Sequence, residues 1–289
     1  MVACLVYLLG ATGKAAPAVS VPFRYIHDEI VARATVNGHP LTVLLDTGTA
    51  PSVVDVSFCR KFRLITKSAG AGGDGGGNKK QQVFELAGAH LQLGQLKVPA
   101  FQSLAIDLSG VSKKFGMKID AVLGDSVFTG RVVQFDYPHR TARFFRTPPK
   151  PARDSVTFPF AHENGEVHVV GMKINGQNVD ANLDTGSSSL CSFTPRGIRR
   201  LHLGNAAAHA VKRDSTGFNG SYGRREGKLS SIAFGSYNLA HPTADFWEPG
   251  TGHDASPWDV NVGNRFWRNY VLTIDYVGKT VTLAPALVH

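Results

Sequence analysis

The sequence predicts an all-β chain folded as two pseudo-symmetric lobes, and three observations carry that reading. A strand-like stretch ending in Asp-Thr-Gly occurs twice, as Leu44-Leu45-Asp46-Thr47-Gly48-Thr49 and as Asn182-Leu183-Asp184-Thr185-Gly186-Ser187, 138 residues apart (46 to 184). Landmarks around each copy recur in the same order. Glycine is abundant, 31 of 289 residues, and long helical periodicity is missing, which favours short strands joined by turns.

The landmarks begin with Asn37-Gly38 and Asn175-Gly176, whose glycines lie eight residues before Asp46 and Asp184. Asn-Gly between apolar alternations marks a tight hairpin, because both residues tolerate positive φ. Downstream, Ala121-Val122-Leu123-Gly124 matches Val260-Asn261-Val262-Gly263, with the glycine 78 and 79 residues after its Asp (46 to 124, 184 to 263). Gln134-Phe135-Asp136-Tyr137 then matches Thr273-Ile274-Asp275-Tyr276, and Thr141 matches Thr280. A repeat half the chain long implies two lobes rather than a solenoid.

Taken in order, residues 1–18 read as a targeting segment. Val2–Leu9 is apolar apart from Tyr7, and Ala16-Pro17-Ala18 resembles a cleavage site. The run is too short for a stable membrane span, so an exported protein is expected. The first lobe, residues 19–147, opens with strands at 22–25 and 30–36 and a hairpin into Leu41–Leu45. A short helix is expected over Asp55–Leu64, with Phe58 and Phe62 on its buried side.

Ala69–Asn78 is glycine-dense and falls where a substrate-covering flap would sit, making Gly73, Gly75 and Gly76 flap candidates. Strands at 82–86, 89–93 and 97–105 follow, then a short helix at 125–129 and a closing hairpin. Thr147-Pro148-Pro149-Lys150-Pro151 is a stiff connector. The second lobe, residues 148–289, repeats the plan, with a helix expected over Pro195–Leu203. Its flap candidate is Tyr222, within Gly217–Gly223.

Composition narrows the function. The formal net charge is +9 and the pI near 9.6, yet the basic residues are scattered, with only short pairs such as Arg224-Arg225. No strand interleaves aromatic with basic residues, so a solvated basic surface is expected and a nucleic-acid partner is not. The eleven histidines form no His-x-x-x-His spacing, so no metal and no cofactor is expected. Gly186-Ser187-Ser188-Ser189 lacks the Gly-x-Ser-x-Gly pattern of a serine nucleophile. Cys59 and Cys191 occupy inequivalent places in the repeat and read as free buried thiols.

Two carboxyls brought together by a pseudo-twofold axis cannot both ionise cheaply. They share a proton, and their titrations separate. The charged member can draw a proton from water while the neutral one donates to a carbonyl, giving attack on an amide without a covalent intermediate. Gly48 and Gly186 permit close backbone approach, and Thr47 and Thr185 carry hydroxyls that can bond across the axis. Thr49 and Ser187 are placed to bond the outer carboxylate oxygens. Asp136 and Asp275 read as strand-end residues ahead of turns.

The paired Asp-Thr-Gly motifs, each followed by an apolar-apolar-Gly, resemble the aspartic proteases of the pepsin/retropepsin superfamily, in a bacterial retropepsin-like form with both lobes in one chain. The resemblance covers about residues 20–286. It implies two β-barrel lobes in a pepsin-like arrangement, a cleft between them, Asp46 and Asp184 as the catalytic pair, and a peptide or protein substrate cut by a monomer. Two departures stand out. Asn261 interrupts the second apolar-apolar-Gly and is expected to weaken packing behind Asp184. The first flap segment has no tyrosine. Both keep open an alternative, a peptide-binding module of little or no activity on the same scaffold.

Overall fold

The computed structural model describes residues 19–64, 66–72 and 80–285. The expected targeting segment, and Gly73, Gly75 and Gly76, lie outside the described residues. No helix among those described is long and apolar enough to cross a membrane.

The repeat is realised in the strands around each Asp-Thr-Gly. In the first half, Ala121–Leu123 runs parallel to Val43–Leu45 and antiparallel to Val53–Val54. In the second, Val260–Val262 runs parallel to Ala181–Leu183 and antiparallel to Cys191–Phe193. The Asn-Gly corners match as well: Asn37 and Asn175 both have φ 49, and Gly38 and Gly176 have φ 82 and 81. Each Asn side chain then accepts from a neighbouring segment, His90 N–H at 2.8 Å or Ser230 N–H at 2.9 Å. That second bond explains why Asn suits the corner beyond its tolerance of positive φ.

The helices are shorter than expected, at Val56–Lys61 and Pro195–Arg200, capped by the side chains of Asp55 and Thr194. Ser109–Phe115 forms a further helix that the sequence reading did not anticipate. Among the described residues no sheet closes on itself: one thirteen-stranded sheet runs through both halves, a ten-stranded one lies in the first and a four-stranded one in the second, so the lobes are built of open sheets rather than the closed barrels the resemblance implied.

A shared sheet joins the halves. Val132–Asp136 pairs antiparallel with Tyr270–Asp275, flanked by Val19–Pro22 and Thr141–Phe145 on one side and by Thr280–Pro285 and Val156–Glu163 on the other. Asp136 and Asp275 end these strands as turn caps. Asp136 accepts from the His139 backbone at 3.1 Å and from Arg143 at 2.6 Å, and Asp275 accepts from Val277 and Gly278 N–H at 3.0 and 2.8 Å. One large core runs through both halves, and a smaller one lies beneath the Ser109–Phe115 helix. Cys59 and Cys191 are free and buried, and burial pushes the Cys59 thiol up to about 11.

Candidate active site

The two Asp-Thr-Gly loops meet where the halves abut. Each Asp is fixed by the strand beside it, Asp46 N–H donating to Leu123 O at 2.9 Å and Asp184 N–H to Val262 O at 3.0 Å. Each carboxylate then accepts the N–H of its own glycine, Gly48 or Gly186, at 2.8 Å.

Thr47 and Thr185 lock the loops across the axis. Their hydroxyls donate to Leu183 O at 2.8 Å and to Leu45 O at 2.9 Å, while each accepts the other's backbone N–H at 3.0 Å. All four bonds are buried, so losing one hydroxyl strands two backbone groups. Thr185→Val is expected to lower stability by about 2 kcal/mol or more, read as a fall in the urea midpoint with unchanged slope. Tyr137 braces this arrangement: its hydroxyl donates to Asn264 Oδ1 at 2.6 Å, and the Asn264 amide in turn donates to Thr185 O.

The glycines admit no side chain. A Cβ on Gly186 would stand 2.1 Å from the Asp46 carboxyl carbon, and one on Gly48 would stand 2.9 Å from that of Asp184. Each carboxyl thus lies against the glycine of the opposite loop, which brings the two acids together. Asp46 is 7% exposed. Burial, and then the charge of Asp184, hold the Asp46 carboxyl well above the usual range. Burial raises Asp184 too, but the Asn261 amide pulls it back.

Here the symmetry breaks. Thr49 donates its hydroxyl to Asp46 Oδ2 at 2.6 Å, but Ser187, its counterpart, is engaged with Ser189 Oγ at 2.9 Å. Asp184 Oδ2 instead accepts from Asn261 Nδ2 at 2.6 Å, and Asn261 Oδ1 accepts from Asn182 Nδ2 at 2.8 Å. Asn261 is therefore a direct partner of Asp184, not the packing defect its sequence position suggested. An amide nitrogen can only donate, whereas a hydroxyl can turn and accept. The pair is thus biased towards a charged Asp184 and a proton on Asp46.

The carboxyls line a cleft of about 760 Å³. Tyr222 lines it too, from the hairpin of Val211–Gly217 and Gly220–Lys228, its ring edge-on to His253 at 5.9 Å. The hairpin tip crosses to the first half, where Gln81 Nε2 donates to Phe218 O at 2.7 Å. Glu29, unremarked in the sequence, is buried in the cleft wall against Lys114, and burial pushes its carboxyl up to about 7.

The aspartyl protease family model matches residues 32–127 and again 170–259, one match per half and each containing one Asp-Thr-Gly. The chain belongs to the retropepsin-like aspartyl protease family. No curated protein matches it. Within this aspartyl protease the asymmetry at Asn261 has a measurable side. Asn261→Val, which installs the residue found at the equivalent Val122, removes a donor to the charged carboxylate. The lower apparent pKa of the pair then rises, so the acid limb of any pH–activity profile is expected to move up by about one to two pH units.

Proposed function

We propose that the chain is an aspartic endopeptidase that hydrolyses peptide bonds by general acid–base activation of water between Asp46 and Asp184. The observation that carries this is the pair itself: a buried Asp46 and a half-buried Asp184 lining one cleft, each oriented by its own glycine N–H and each lying against the other's glycine. Asp184, charged and held by Asn261, takes a proton from the water. Asp46, neutral beside Thr49, donates to the peptide carbonyl. The water oxygen then adds to the carbonyl carbon, giving a diol; the proton taken by Asp184 passes to the departing nitrogen as the C–N bond breaks, and one diol hydroxyl returns its proton to Asp46 as the new carboxylic acid forms.

One chain supplies both carboxyls, so the enzyme works as a monomer. Gly48 and Gly186 keep the backbone close to the pair, and the Thr47–Thr185 lock holds its spacing, which is what positioning demands of a catalytic site. The test is a peptide-library digest between about pH 3 and 8, with an Asp184→Asn control. Cleavage by the parent and none by the control supports the reading. Peptides bound but never cut would instead favour a binding module.

A further inference from the structure

The two halves differ in chemistry on the sheet face beside the carboxyls. In the first half, Leu44, Val122 and Val53 are register neighbours across three strands and pack with Val111 and Phe115 of the Ser109–Phe115 helix. The same three register places in the second half hold Asn182, Asn261 and Ser192. One strand further out, Leu104 pairs with Val53, whereas Asp245 pairs with Ser192. Four apolar places have become four polar ones, all lining the cleft.

Such a swap is costly unless the polar groups are satisfied. Asn182, Asn261 and Ser192 are 2, 3 and 2% exposed. Asn182 donates to Asn261, and Asn261 to Asp184, which leaves Asn182 Oδ1 buried without a hydrogen-bond partner. Asp245 pairs with Arg224 through one oxygen. The recess thus offers an unpaired acceptor, Asn182 Oδ1, next to Asp184, while Asn182 and Asn261 each direct an amide donor along the chain that ends on that carboxylate.

We propose that this recess on the second half is a substrate subsite for a side chain ending in N–H donors, an amide or an amine, while the residue across the scissile bond presents an apolar side chain to the first half. This rests on the protease reading above. A donor reaching Asn182 Oδ1 satisfies the orphan carbonyl. A leucine there would bury it unpaired, and a carboxylate would meet both that carbonyl and the charge of Asp184.

The experiment measures binding and cleavage separately. Peptides carrying Leu, Gln, Lys or Glu at each of the two central positions in turn are titrated calorimetrically into the Asp46→Asn variant, which keeps Asp184 and Asn261. At one position Gln or Lys is expected to bind about tenfold tighter than Leu, with Glu weakest, and at the other Leu is expected to win. Adding Asn182→Leu is expected to reverse the preference at the first position only. A second variant, Asp245→Asn, is expected to weaken Lys and spare Gln. Leu preferred at both positions, a preference indifferent to both variants, or no binding by any peptide overturns the subsite. The same peptides are then offered to the unaltered enzyme. Preference without cleavage keeps the subsite and removes the endopeptidase reading. Cleavage without preference does the reverse.

Discussion

Asp46→Asn and Asp184→Asn are each expected to lower kcat for peptide cleavage by at least about 10³-fold while leaving the chain folded. Asparagine matches aspartate in size and can still accept the glycine N–H. It cannot carry the shared proton or the charge that activates water. Stability supplies the control. The folded pKa of Asp46 lies above its ordinary value, because of burial and then the charge of Asp184. A carboxyl shifted in this direction favours the folded state in acid. That advantage is lost as pH rises through the folded pKa. Asp46→Asn removes the titration, so its unfolding midpoint should fall less between acid and neutral pH than that of the parent. Full activity in a folded Asn variant would take the pair out of the reaction.

Gly186→Ala is expected to cost kcat about 10²-fold or more, and Gly48→Ala distinctly less. The order follows from distance. The added methyl would stand 2.1 Å from the Asp46 carboxyl carbon in the first case and 2.9 Å from that of Asp184 in the second. Carbon atoms settle at about 3.5–4.0 Å, so the first variant must drive the loops apart by more than an ångström, against the Thr47–Thr185 bonds. Urea unfolding should show the same order. Equal and harmless effects would mean that the loops are not as close as described.

The repeat made much of this legible beforehand. Asp46, Asp184 and the glycines behind them could be placed because identical tripeptides in identical surroundings demand a common geometry. The Asn-Gly corners were readable because positive φ is a local property. What stayed hidden depended on registration between strands. Asn261 looked like a polar flaw in an apolar triplet, since only the parallel pairing with Ala181–Leu183 reveals that it lies between Asn182 and the carboxylate. Ser187 looked equivalent to Thr49, but Ser189 two residues on gave its hydroxyl a nearer partner. The Ser109–Phe115 helix went unseen because it is short and without a side-chain N-cap bond.

The strand ladder that ties Val132–Asp136 to Tyr270–Asp275 has a mechanical consequence. Five consecutive register pairs join the halves, so prising them apart like jaws would break a backbone network. The second crossing between the halves is of another kind, a side-chain bond from Gln81 to the Phe218 tip. The halves therefore form one braced unit at the ladder, while the Phe218 tip is tied across by a side chain alone, through Gln81.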